Sequence, residues 1–382
     1  MRAALPLHTH GRIAGGSGVE ILKVLSPEEA AGGCWPAEDV LVQEPAVGGA
    51  SMLRRATGLP ITIDRLRDPA VIQPGDVVRL LEGTSLISVL FRRGSTSNTL
   101  FATERCNSLC LMCSQPPRDE DDSWRVAELI RLVTLIDKDE IQLGITGGEP
   151  TLLEEGLERI LEACAEHLPE TTLHILTNGR NFADRTRVGR LARIRPDHTV
   201  WAIPLYADVP DLHDEVVAAP GAFEETLQGF YELGRVGART ELRVVLHKLT
   251  IPRLPQLASF IYRRLPFVQH VALMGLEPMG FAKGNRETLW IDPVDYIPEL
   301  ESAVFHLSNR SIPVSIYSLP HCILPRNLWP FARQSISAWK RLYPDACEPC
   351  AVGDLCAGFF ASAGPAWRSR AVHPLTTEEL AA

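Results

Sequence analysis

Apolar and polar positions follow two periods along this 382-residue chain, and the change of period marks its parts. From about residue 98, short β-prone apolar runs at 98–103, 141–146, 172–177, 199–206, 241–247 and 270–276 alternate with stretches of helical period. Val126, Leu129, Ile130 and Val133 share one helical face, as do Leu153, Leu157, Ile160, Leu161, Cys164 and Leu168, so Cys164 reads as core. Phe223, Leu227 and Phe230 mark the fourth helix, and Leu254, Leu257, Ile261 and Leu265 the fifth. Six βα units are implied. Such an alternation builds a parallel sheet with helices outside, doubly wound or curled into a barrel, and ligands gather at the carboxyl ends of its strands.

The flanks read differently. In residues 1–97, short apolar pieces at 40–42, 61–63, 77–81 and 86–91 are broken by Gly and Pro turns, which predicts a small β-rich domain. The run AGGSG at 14–18 lacks a preceding strand and a following lysine, so it does not read as a phosphate loop. His8 and His10 read as a flexible, solvated end. After the core at 98–282, the part 283–382 holds a helix near 294–307, a strand at 312–317 and an irregular cysteine-bearing tail. The fold class expected is α/β: a partial six-stranded barrel between these two additions.

Composition narrows the partners. With 45% apolar and 22% charged residues the chain is globular, and a formal charge of −9 offers no general attraction to nucleic acid or an anionic membrane. A neutral or basic peptide or a small molecule fits better. No apolar run approaches the roughly 18 residues of a membrane span, and the opening MRAALPLHTHGR is too short for a signal peptide, so a cytoplasmic protein is expected. Nine cysteines are too few for a secreted disulfide scaffold, and seven of them fall into two groups with ligand-like spacing.

The first group is Cys106, Cys110 and Cys113, a Cys-x3-Cys-x2-Cys loop following the first strand of the core. Three thiolates on one short loop can hold three irons of a [4Fe–4S] cube and leave the fourth open. The open iron can bind the amino and carboxylate groups of S-adenosylmethionine and pass an electron to its sulfonium. Structural zinc would need a fourth ligand, and no Cys or His lies close by in sequence. After the second strand comes Gly147-Gly148-Glu149-Pro150. Its glycines let backbone approach a ligand closely, Glu149 offers an acceptor for an ammonium group, and Pro150 opens a helix. A plain strand-to-helix turn is the alternative.

The two motifs together resemble the radical SAM superfamily. The resemblance implies a SAM-binding [4Fe–4S] cluster on the three cysteines, and GGEP at the methionyl amine. It also brings Thr177-Asn178-Gly179 near the ribose or methionyl carboxylate, although Asn-Gly is an ordinary turn as well. Alternation on the fifth strand puts Arg243 and His247 on one face, where Arg243 can pair with the methionyl carboxylate if that face is interior. GLEPMGFA at 275–282 closes the sixth strand, where relatives contact adenine with main chain. No catalytic acid or base stands out.

The second group is Cys347-x2-Cys350-x5-Cys356 with Cys322 upstream. Four thiolates can complete a second [4Fe–4S] cluster with no open iron, or a zinc site. Their core resembles the SPASM and twitch extensions of peptide-modifying radical SAM enzymes. So does 206–230, with His213-Asp214 and Gly221-x-Phe223, although His213 and Asp214 equally suit helix capping. The stretch 92–118 is similar to the radical SAM maturases of the His-Xaa-Ser system. Phe360 stands where full SPASM domains carry a further cysteine, which limits the tail to one auxiliary cluster. Nor does the N-terminal part read as a winged-helix leader-binding element. The resemblance implies modification of a His-Xaa-Ser-rich precursor peptide, with an external electron donor and a second radical SAM maturase or chaperone of the system as partners. The rival readings are radical chemistry on a small metabolite or nucleotide, and a non-catalytic iron–sulfur electron-transfer or scaffold protein.

Overall fold

In the computed structural model, residues 6–381 are described apart from 48–49, 56, 58–59, 336 and 338–339. The chain forms two units, one of residues 1–102, 123–144 and 155–172, the other of residues 103–122, 145–154 and 173–382.

The first unit is built on eight strands. In order across the sheet they are His8–His10, Leu86–Phe91, Val77–Leu81, Val19–Leu25, Val40–Val47, Ala50–Arg55, Ile61–Asp64 and Arg12–Gly15. Only Gly11 separates the two outermost strands in the chain, so the polypeptide turns there from one edge of the sheet to the other. Leu22, Val24, Leu41, Leu53, Ile63, Val78 and Ile87 form its core, each contributing about 2 kcal/mol by burial. The four β-prone pieces of 1–97 are all strands. His8 and His10 correct the expectation of a loose end: both are exposed, but they lie in a strand paired with Leu86–Ser88. AGGSG corrects the expectation that no strand precedes it, since Arg12–Gly15 runs into it; Val19–Leu25 follows directly, with no helix opening after the glycines, and those at 15, 16 and 18 take positive φ.

Lys23 had no sequence signal. Its ammonium is fully buried, donates to Leu135 O at 2.9 Å, pairs with Asp137 at 3.0 Å and stands 4.6 Å from the Trp35 ring centre. Burial lowers its pKa, and the charge and hydrogen bond of Asp137 oppose that shift. Helix Trp124–Thr134 buries Val126, Leu129 and Val133 of the face read from its periodicity, with Leu132 in addition and Ile130 only half-buried. Helix Glu155–His167 buries Leu157, Ile160, Leu161 and Cys164, while Leu153 precedes it and is half-buried.

The second unit holds the parallel sheet. Thr172–Leu176, Thr199–Pro204, Arg239–Leu246, His270–Gly275, Val314–Tyr317 and Ala332–Arg333 pair in that order, every pair parallel. Helix Arg185–Leu191 lies between the first two, Pro210–Val217 and Ala222–Arg235 between the next, then Leu254–Arg264 and Ile297–Ser308, with the short 3-10 helix Arg326–Phe331 before the last strand. The α/β class is as expected. The strand placed outside the core by its sequence position, now Val314–Tyr317, extends the same sheet beside His270–Gly275. On Arg239–Leu246 the residues Leu242, Val244 and Leu246 are buried, while Glu241, Arg243 and Val245 take the other face. Among the described residues no helix is long and apolar enough to cross a membrane.

Candidate functional site

The loop 106–113 has no helix or strand of its own, and its shape is imposed by neighbours at the carboxyl ends of the parallel strands. Leu109 and Leu111 N–H donate to Val217 O and Val216 O, the last carbonyls of helix Pro210–Val217, at 3.0 and 2.9 Å. Phe281 N–H donates to Cys113 O at 2.9 Å, and the Asn285 side chain donates to Leu111 O at 2.9 Å. After Thr172–Leu176, the Asn178 amide donates to Asn107 Oδ1 at 2.6 Å, and Arg180 Nη1 donates to Asn107 O and, at 3.1 Å, to Ser108 Oγ. Buried Asp122 holds the approach to the loop, accepting from Thr103 Oγ1 at 2.8 Å and pairing with Arg105.

Gly147 and Gly148 are required by the loop itself. Gly148 N–H donates to Thr103 O and Glu149 N–H to Arg105 O, both at 2.8 Å. A Cβ on Gly148 would stand 2.2 Å from Arg105 O, and one on Gly147, where φ is +151°, would stand 2.5 Å from Thr103 O. The close approach their small size allows is between the turn and the cysteine loop. Gly280, with φ +55°, repeats this from the other side, 2.4 Å from Cys113 O by the same measure.

The Glu149 carboxylate is fully buried and saturated with donors. Oε1 accepts from Thr151 N–H at 3.0 Å, Thr151 Oγ1 at 2.5 Å and Thr177 Oγ1 at 2.7 Å, and Oε2 accepts from Asn178 N–H at 2.6 Å. It bonds the GGEP turn to Thr177-Asn178-Gly179, the turn that ends the neighbouring strand. Burial raises its pKa while the four donors hold it down. Pro150 is buried and opens the short helix Pro150–Leu153.

Arg243 does lie on the face shared with Glu241, and there it pairs with Glu241 at 2.9 Å and reaches Met274 Sδ at 3.1 Å. Glu241 also meets His270 at 2.9 Å and His174 at 3.5 Å, so this end of the row is a closed polar network. His247, at the carboxyl end of the strand, is buried with neither ring nitrogen hydrogen bonded, and burial pushes its pKa down to about 3. Its ring centre lies 6.3 Å from that of Tyr206. His213 is buried too, accepting the Tyr206 N–H at Nδ1 at 3.2 Å, while Asp214 accepts from Gly221 and Phe223 N–H at 2.5 and 2.8 Å and so caps helix Ala222–Arg235.

The three loop thiols influence one another. Burial pushes Cys110 up to about 12, the charges of Cys106 and Cys113 add to this, and Arg180 pulls the other way. Cys106 rises to about 11 by burial and the charge of Glu149, while the N–H groups of Ser108 and Asn107 face its sulfur. In the tail, Cys322 is raised to about 11 by burial, with the charges of Cys356, Cys347 and Cys350 all acting on it. Leu375 N–H points at Cys350 Sγ at 3.4 Å and Gly358 N–H at Cys356 Sγ at 3.5 Å.

Among the described residues no three His, Cys, Asp or Glu side chains converge to hold a single metal ion. A cubane cluster does not need that convergence, because each thiolate takes its own iron, whereas zinc would draw four sulfurs to about 2.3 Å from one point. Both donor sets are all-thiol, and backbone N–H groups face sulfurs in each. Both fit a cluster.

Residues 100–261 match the model of the Radical SAM superfamily. No curated protein matches the chain. Among solved structures it is similar to Streptococcus suis SuiB bound to S-adenosylmethionine, at 15% identity and a TM-score of 0.41, over 57% of this chain and 46% of that one. It is also similar to anSMEcpe with bound AdoMet and a Cp18Cys peptide, at 14% identity and 0.43, over 56% and 62%. A radical SAM methyltransferase from Sphaerobacter thermophilus is similar at 15% identity and 0.40, over 72% and 75%. The chain thus spans 46% and 62% of the first two.

Proposed function

We propose that this chain, whose residues 100–261 form a radical SAM domain, reductively cleaves S-adenosylmethionine and modifies a ribosomally made precursor peptide of the His-Xaa-Ser-rich kind. The observation that carries the reading is the cysteine loop, held from several sides at the strand ends through Val216, Val217, Asn178, Arg180, Phe281 and Asn285. Cys106, Cys110 and Cys113 would hold a [4Fe–4S] cluster whose open iron supplies the electron that releases a 5′-deoxyadenosyl radical. Glu149, Thr177 and Asn178 hold the GGEP turn and the loop in fixed relation, so the sulfonium would meet one geometry.

Cys322, Cys347, Cys350 and Cys356 would hold a second, fully ligated cluster, supported by their mutual electrostatic influence and by N–H groups aimed at their sulfurs. That second set and the resemblance of 92–118 favour a peptide over a small metabolite. An external donor supplies the electron.

The test is anaerobic reconstitution, then dithionite and S-adenosylmethionine with a His-Xaa-Ser repeat peptide. Expected are 5′-deoxyadenosine from the parent and none from Cys113→Ala, with a mass change in the peptide. A cluster-loaded parent that makes no 5′-deoxyadenosine would sink the reading; 5′-deoxyadenosine beside an unchanged peptide would redirect it to a small substrate.

A further inference from the structure

Arg180 follows the Asn-Gly turn, where an arginine reads as ordinary surface charge. Its side chain is only 13% exposed. Nη1 bonds Asn107 O and Ser108 Oγ inside the cysteine loop, and Nε donates to Glu225 Oε2 at 2.6 Å. Glu225 sits in the first turn of helix Ala222–Arg235 and is 47% exposed. The guanidinium is therefore a largely dehydrated cation bonded to Asn107 and Ser108, which lie between Cys106 and Cys110 in the chain, with its counter-charge on the solvent side.

We propose that Arg180 is a positioning residue that also sets the ease of reduction of the cluster at Cys106, Cys110 and Cys113, with Glu225 as the opposing control. The inference rests on the functional reading above. Reduction adds one electron, hence one negative charge, to the cluster, and a cation held nearby in a poorly hydrated setting stabilises that charge. The carboxylate of Glu225 offsets part of the effect. Removing each charge must then shift the couple in opposite directions, which a purely structural role would not do.

The experiment is an anaerobic redox titration of the reconstituted full chain, followed by the electron paramagnetic resonance of the reduced cluster, with and without S-adenosylmethionine. Iron and sulfide are counted in each sample. At a fixed potential, Arg180→Gln is expected to lower the reduced-to-oxidised ratio about tenfold, which is about 59 mV for a one-electron couple. Glu225→Gln should raise the ratio, and Arg180→Lys, which restores the charge, should lie near the parent. Should Arg180→Gln fail to load iron, Glu225→Gln and Arg180→Lys decide. The proposal is overturned if Glu225→Gln leaves the ratio unchanged, or if loaded Arg180→Gln titrates with the parent. It is also overturned if Arg180→Lys behaves as Arg180→Gln does. A parent that takes up no cluster overturns the functional reading, and this one with it.

Discussion

The two sets of thiols are built on opposite plans. The loop of Cys106, Cys110 and Cys113 is irregular, yet it is bonded to the end of one helix and to residues after two strands, and the GGEP turn holds Thr103 and Arg105 just before it. The tail of Cys347, Cys350 and Cys356 is held mostly by its own short turns, such as Cys350 N–H to Cys347 O at 3.0 Å and Cys356 N–H to Val352 O at 3.0 Å. A few longer bonds add to these: Ala351 to Leu375, the Leu342–Phe359 bridge, and Tyr343 Oη to Cys356 O at 2.8 Å. A loop shaped by its scaffold keeps its geometry while the iron changes oxidation state or binds ligand. A site shaped by local turns takes more of its order from what it holds.

Substituting the cysteines tests this contrast most strongly. Alanine at Cys106, Cys110 or Cys113 is expected to abolish 5′-deoxyadenosine formation while the fold survives, since the anchoring bonds are made by backbone and by other side chains. Alanine at Cys347 or Cys356 is expected to leave S-adenosylmethionine cleavage, remove about half of the bound iron, and make the tail the first site of limited proteolysis. Equal proteolytic sensitivity in the two sets of variants would erase the distinction.

Acid should act on the scaffold of the first loop. His213 and His247 are buried as neutral bases with pKa pushed down by burial, to about 4 and about 3, from an ordinary 6.5. The unfolded chain takes up protons below pH 6.5 and the folded chain does not. Stability from these groups is therefore complete above 6.5 and lost as the pH falls toward 4. At pH 5 the loss is about 2 kcal/mol for each histidine relative to pH 7.5. The raised thiols of the tail act only on the alkaline side. Urea midpoints at the two pH values measure the loss, and His247→Phe should remove about half of it. An unchanged drop in that variant would show that His247 is not a source of the acid loss.

Much of this architecture was legible from pattern, because strand and helix periods are local properties. Each apolar run from 98 to 276 holds a strand, and most of the residues that spacing puts on the inner faces of Trp124–Thr134 and Glu155–His167 are buried, Ile130 and Leu153 being half-buried. Partners far apart in the chain were not legible. Val314–Tyr317 looks like an isolated strand until the register with His270–Gly275 is seen. Arg180 is separated from Asn107 by 73 positions, and no local rule pairs them. The glycines of GGEP are legible as points of close backbone approach, but the neighbours the structure gives them, Thr103 and Arg105, are not. Asp214 caps across a distance no local rule gives: it lies within helix Pro210–Val217 and accepts from Gly221 and Phe223 N–H, seven and nine positions on.

Glycine supplies the finest test of the two plans, because both regions contain one near a candidate ligand. A methyl group at Gly280 would stand 2.4 Å from Cys113 O and 2.6 Å from Ser114 O, on a backbone with φ +55°. Neither oxygen can retreat without moving the loop, since Phe281 N–H is bonded to Cys113 O. Gly280→Ala is therefore expected to cost about 2–3 kcal/mol in urea unfolding and to lower iron uptake at the first site. At Gly353 the nearest atom is Cys350 O at 3.6 Å, an ordinary contact, so Gly353→Ala should stay within about 0.5 kcal/mol of the parent. If Gly280→Ala unfolds at the parent's midpoint and loads iron fully, the loop yields to its neighbours rather than being shaped by them, and the contrast between the two sites fails at its tightest contact.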